Sequence, residues 1–119
     1  MRRLLLTAAV ALTAAVAVPA TANAASCGTR GFDFGRVTVR TAGATSCAFG
    51  WSAYRTWRRE TLRRGHYPQS MSVKSPVTNR RYRVVRVSQR YNQRVGDWRY
   101  TGVGDRNSTI DVRFHWKRY

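Results

Sequence analysis

Acidic side chains are scarce in this sequence. Only five Asp or Glu stand among 119 residues, against 22 Lys or Arg. Asp33, Glu60, Asp97, Asp105 and Asp111 are therefore the whole supply of carboxylates for acid–base chemistry. Histidine is rarer still, with His66 and His115 alone, and cysteine is limited to Cys27 and Cys47. Two histidines and two cysteines without ligand spacing exclude a recognisable zinc or iron site. No G-x-S-x-G motif occurs, so a serine nucleophile on a sharp strand-to-helix turn has no support. Nothing in the sequence calls for a cofactor. Internal repeats, linkers and low-complexity tracts are also missing from residue 25 onward, which excludes a multidomain or solenoid organisation.

What is present begins with a leader. Met1-Arg2-Arg3, the apolar run Leu4 to Val18 and the A-x-A sequence Ala22-Asn23-Ala24 have the three regions of a secretory signal peptide. The run is short for a membrane span and leads directly into the cleavage pattern, so no stable transmembrane segment is expected after processing. Cys27 follows three residues after Ala24, which excludes a lipobox cysteine, and Arg2-Arg3 lacks the flanks of a twin-arginine signal. The expectation is a leader over residues 1–24 and one small secreted domain over residues 25–119. In an oxidising compartment Cys27 and Cys47 have one possible pairing, worth about 3 kcal/mol by loop closure.

Arg2 and Arg3 belong to the leader, so the remaining 95 residues carry 20 basic and five acidic side chains, a net charge of +15. Eighteen of the twenty are Arg, all but Lys74 and Lys117. Arginine pairs with phosphate and carboxylate through a planar two-pronged fork, so such a surface favours polyanions. Compositional bias toward Arg, serving only solubility, is the plainer reading of the same count.

Residues 45–65 carry the one strong helical signal. Thr45 or Ser46 is placed to cap the first turn, and Gly65 suits the left-handed residue that ends a helix. Cys47, Gly50, Ala53, Tyr54 and Trp57 share an arc, flanked by Phe49 and Trp51. Ser52, Arg55, Thr56, Arg59 and Arg63 lie opposite. Ahead of the helix, Ala25–Phe34 reads as an irregular lead-in and Arg36–Arg40 as a strand. Beyond it, Met71–Ser75 and Arg80–Ser88 read as a hairpin across a Pro76/Asn79 turn. Tyr82 and Val84 fall out of phase with Val85 and Val87, which requires a bulge or two covered faces. Gln89–Asp97 reads as a loop or ragged hairpin end, Trp98–Thr101 as a strand, and Gly102–Ser108 as a turn. The clearest strand is the last, with Ile110, Val112, Phe114 and Trp116 on one face and Asp111, Arg113, His115 and Lys117 on the other.

The expected architecture is α+β: one helix in the N-terminal half, packed on an antiparallel sheet of about five strands. With Val37, Val39, Val73, Tyr82, Val84, Trp98, Tyr100, Ile110, Val112 and Phe114 turned inward, the opposite face carries Arg36, Arg40, Arg83, Arg99, Arg113 and Lys117. Like charges on neighbouring strands destabilise a sheet, so this face is the candidate anion-binding surface.

The segments Thr45-Ser46-Cys47-Ala48-Phe49-Gly50, Ser75-Pro76-Val77-Thr78-Asn79-Arg80-Arg81-Tyr82 and Val112-Arg113-Phe114 resemble an uncharacterised family of small secreted actinobacterial proteins. That family has a T-S-C-P-F-A helix start, an S-P-x-T-G-R-x-Y hairpin and a late C-x-G-G stretch before a V-x-F strand. The resemblance spans nearly all of residues 27–116 and implies secretion and a shared fold, with no catalytic residues to carry over. The family's second cysteine pair is replaced here by residues near Val85 or Arg86 and by Tyr100.

Three functions fit these features. The foremost is a non-enzymatic binder of anionic cell-envelope or extracellular polymers. A protein-binding or inhibitor module is the second. The third is a small ribonuclease with Glu60 as base, His115 as acid and arginines on the phosphate. Arginines interleaved with aromatics, as in Trp98-Arg99-Tyr100, also match single-strand nucleic-acid platforms, although strand alternation turns most of those rings into the core. The Asn107-Ser108-Thr109 sequon reads as chance.

Overall fold

The computed structural model describes residues 25–32, 34–104 and 109–119. The expected leader over residues 1–24, Asp33, Asp105, most of the expected Gly102–Ser108 turn and Asn107-Ser108 of the sequon lie outside the described residues. Two strands, β1 (Ala25–Phe32) and β2 (Gly35–Ala42), precede helix α1 (Cys47–Arg64). Four more follow: β3 (Ser70–Lys74), β4 (Arg81–Tyr91), β5 (Val95–Gly102) and β6 (Asp111–Arg118). They form one antiparallel sheet in the order β1-β2-β6-β5-β4-β3. β6 is central, as its long alternation requires, and joins β2 to the meander that returns from β3.

The helix crosses one face of the sheet from β2 to the far edge at β3. Ser46, of the two candidate caps, accepts the Phe49 amide at 3.1 Å. Thr45 instead ties the helix entrance to the sheet, its hydroxyl oxygen accepting the Asp111 amide at 2.9 Å. Gly65 closes the helix at φ 78°, donating its amide to the Thr61 carbonyl. Phe49, Gly50, Trp51, Ala53, Tyr54 and Trp57 are buried as the arc requires, but two residues depart from it. Cys47 is exposed, because it reaches sideways to a disulfide with Cys27 on edge strand β1. Thr56 is buried on the supposed polar side, its hydroxyl donating to the Ser52 carbonyl at 3.0 Å. At Gly50 a β-carbon would stand 2.8 Å from Thr41 Cγ2 and 2.9 Å from Val39 Cγ1. A side chain there would push the helix off β2.

The core between helix and sheet is aromatic. Tyr54 sits at its centre, with ring centroids 5.0 Å from Phe32, 5.7 Å from Trp57 and 5.5 Å from Phe114. Every residue expected to face inward does so: Tyr82 and Ile110 are half-buried and the other eight are buried. A bulge between Arg86 and Ser88 resolves the phase conflict in β4, leaving Val87 exposed on the extra position.

Two segments differ from expectation. Ala25–Phe32 is a sixth strand rather than an irregular lead-in, and its alternation is hidden because an edge strand buries little and a bulge between Ser26 and Thr29 breaks its phase. Gln89–Asp97 is mostly ladder: β4 runs to Tyr91 and β5 starts at Val95. The turn between them is held by Asn92 Oδ1, which accepts the amides of Arg94 and Val95 at 2.7 and 3.0 Å. At the other hairpin Asn79 takes φ 61°, the left-handed conformation the turn requires. Among the described residues no helix is long and apolar enough to cross a membrane.

Candidate functional site

Side chains alternate across a strand, so the register decides which basic residues meet on the face away from the helix. Arg40 on β2 stands opposite Arg113 on β6, which stands opposite Arg99 on β5. Three arginines thus occupy one row on adjacent strands, about 5 Å apart at their stems. The next row holds Thr38, His115, Asp97 and Arg90 from β2, β6, β5 and β4. The row after that holds Arg36 opposite Lys117.

Two carboxylates temper this charge. Asp111 accepts a two-pronged pair of hydrogen bonds from Arg99, Nε at 3.1 Å and Nη2 at 2.8 Å. That pairing raises the Arg99 pKa above its ordinary value, with the hydrogen bond to Asp111 the main cause. Arg113 Nε stands farther from the same carboxylate, at 3.7 Å. Asp97 engages His115, Oδ1 to Nδ1 at 2.7 Å. Among the described residues no carboxylate pairs with Arg40, Arg90, Arg36 or Lys117, although Arg36 lies over the Tyr119 ring at 5.6 Å.

The arginine row borders an open depression of about 670 Å³ that reaches from Arg40 to Arg90 with His115 on its wall. Two further depressions, of about 860 and 400 Å³, continue toward Arg94 and toward Arg36. His115 lines all three, which makes it the hub of the face.

Five of the six arginine and lysine positions expected on this surface, Arg36, Arg40, Arg99, Arg113 and Lys117, come together on β2, β6 and β5. Arg83 shares the face but stands apart, opposite Ser72 near the β3 edge and outside the three depressions. Sequence reasoning overlooked Arg90, which lay in a segment read as loop, and the Asp97–His115 contact. The alternation that placed His115 outward was the available signal, but its partner depended on β5–β6 register. Cys27 and Cys47 form their disulfide at the opposite side of the molecule, where Trp51 Nε1 donates to the Cys27 carbonyl at 3.0 Å.

The constellation expected of a ribonuclease is not assembled. Glu60 is on the helix, which covers one face of the sheet, while His115 is on the other. Glu60 is engaged by Arg63 and Arg64 at 2.8 and 2.9 Å. Those arginines hold its carboxyl below the usual range, the Arg63 hydrogen bond first among the causes. Among the described residues no three His, Cys, Asp or Glu side chains converge as a metal site would require. No protein-family model matches the chain, and neither a curated protein nor a solved structure does.

Proposed function

We propose that the protein is a secreted, non-enzymatic binder of anionic polymers of the cell envelope or extracellular medium, and that it engages them with the face of β2, β6 and β5 turned away from the helix. The observation that carries this reading is the Arg40–Arg113–Arg99 row. Three like charges side by side cost stability, and among the described residues a single carboxylate, Asp111, offsets them. A fold that needed only solubility would gain by scattering those charges, whereas a polyanion laid across the strands would neutralise them together. The run of depressions along this face, bordered by arginines and Lys117, suits an extended ligand held by many weak contacts.

Retention of the protein on isolated cell wall, measured against salt, tests the reading. Binding through several charge contacts falls steeply, by about tenfold or more between 0.05 and 0.5 M NaCl. Arg40→Glu with Arg113→Glu abolishes retention at moderate salt. Retention that ignores salt, or survives the double reversal, overturns the proposal and points instead to a protein partner bound through apolar contacts. A ribonuclease reading retains one supporting observation, the His115–Asp97 pair inside a basic depression. Degradation of RNA that disappears in His115→Ala would favour it over simple binding.

A further inference from the structure

We propose that His115, Thr38, Arg90, Arg40 and Arg113 form a subsite for a terminal phosphomonoester group, with Asp97 fixing His115 so that Nε2 faces the ligand. The assignment rests on the anion-binding reading of this face and deepens it. Asp97 Oδ1 can only accept from the imidazole, so the 2.7 Å contact places a proton on Nδ1 and leaves Nε2 as the group presented to the depression. Nε2 has no protein partner among the described residues. Thr38 and Arg90 share its row, and Arg113 and Arg40 form the next.

Charge indicates the class of ligand. Four arginines border the depression, and among the described residues Asp97 and Asp111 are the carboxylates that touch its residues, so two positive charges stay uncompensated with a neutral imidazole and three with an imidazolium. A carboxylate, a phosphodiester or a sulfate ester brings one negative charge, whereas a phosphomonoester dianion brings two. A phosphomonoester also exchanges a proton near pH 6, close to the range of an imidazole. The bound pair can therefore share one proton between phosphate and Nε2, which a diester or a sulfate ester cannot supply.

Charged groups surround His115 on every neighbouring strand. β2 contributes Arg36 and Arg40, β6 contributes Arg113 and Lys117, and β5 contributes Asp97 flanked by Arg99. Arg90 lies beyond Asp97 on β4, and Arg94 and Arg118 border the neighbouring depression. Fixed charges of both signs therefore surround the site, Asp97 at Nδ1 and the arginines and Lys117 on the neighbouring positions. Binding of the dianion to the imidazolium follows the product of the two populations, so affinity for a monoester rises and then falls with pH. Affinity for sulfate, a dianion throughout this range, only falls as pH rises.

Titration of the full domain with methyl phosphate, dimethyl phosphate and sulfate, followed at the backbone amides of β2, β5 and β6 by NMR between pH 5 and 8, tests the assignment. Methyl phosphate is expected to bind about tenfold tighter than dimethyl phosphate, with a maximum near pH 6. His115→Gln keeps a polar side chain and is expected to lose about tenfold and to lose the fall at higher pH, affinity then rising to a plateau as the dianion forms. Asp97→Asn retains an acceptor for Nδ1–H and is expected to keep methyl phosphate binding within about threefold, whereas Asp97→Ala, which frees the ring to turn, is expected to lose about tenfold. Equal binding of mono- and diester, a methyl phosphate profile without a maximum, or an unchanged His115→Gln overturns the subsite. If none of the three anions binds, the wider anion-binding reading falls with it; if all bind alike, only the phosphomonoester assignment fails.

Discussion

The two faces of the sheet are built from the same strands on opposite principles. On the helix side, β6 contributes Val112 and Phe114, β5 contributes Trp98 and Tyr100, and all four are buried among aromatic neighbours. One residue along, the same strands contribute Arg113 and Arg99, which repel each other and lean on a shared Asp111. The covered face is optimised for burial and holds the fold together. The open face tolerates internal repulsion, and a region that gives up stability in this way is where a ligand has most to gain.

The sharpest break in this comparison comes from adjacent residues of β6. Phe114→Ala removes a fully buried ring and is expected to cost about 3–5 kcal/mol, whereas Arg113→Ala should leave unfolding by urea within about 0.5 kcal/mol of the parent. A large loss from Arg113→Ala would mean the open face is structural after all.

Tyr100 offers a second contrast, this one in pH. Its hydroxyl donates to the Pro68 carbonyl, and burial raises its pKa above the ordinary tyrosine value. A group whose pKa is raised by folding stabilises fully below its unfolded pKa, about 10, and loses that contribution as pH climbs through the folded value. Thermal scans between pH 8 and 12 should show this alkaline decline. Tyr100→Phe should lower the midpoint at pH 7, by an amount corresponding to about 1 kcal/mol, yet flatten the decline. An unchanged slope in that variant would assign the alkaline loss elsewhere.

The smallest effect is expected on the open face. Asp111→Asn releases Arg99 and Arg113 from their shared carboxylate and is expected to cost less than about 1 kcal/mol while strengthening sulfate binding. A variant both less stable and weaker for sulfate would show that Asp111 orders the arginines rather than competing for them.

Much of the helix-facing side was legible because burial writes a local pattern. Ser46 and Gly65 mark the ends of the helix, and Val112, Phe114 and Trp116 mark a strand by alternation alone. β1 was not legible, since an edge strand with only Cys27 and Phe32 partly covered leaves no apolar period to read. The open face was half legible. Parity sent Arg36, Arg40, Arg99 and Arg113 outward, but which of them became neighbours depended on β2 meeting β6 across some seventy intervening residues. The Asp97–His115 pair and the row linking it to Arg90 depend on strand pairings of the same kind. Register between distant strands is set by the whole fold, so no window of sequence contains it.

The disulfide between Cys27 and Cys47 has a practical consequence for handling the protein. It fastens the outermost strand to the start of the helix, and β1 otherwise rests on backbone ladder bonds with β2 and on a few contacts such as Arg30 over the Trp51 ring. Under reducing conditions that strand can peel away and uncover the backbone of β2, an unpaired template for a second molecule. Material made in a reducing cytosol should therefore tend to pair edge to edge and precipitate, whereas refolding under oxidising conditions should yield monodisperse protein.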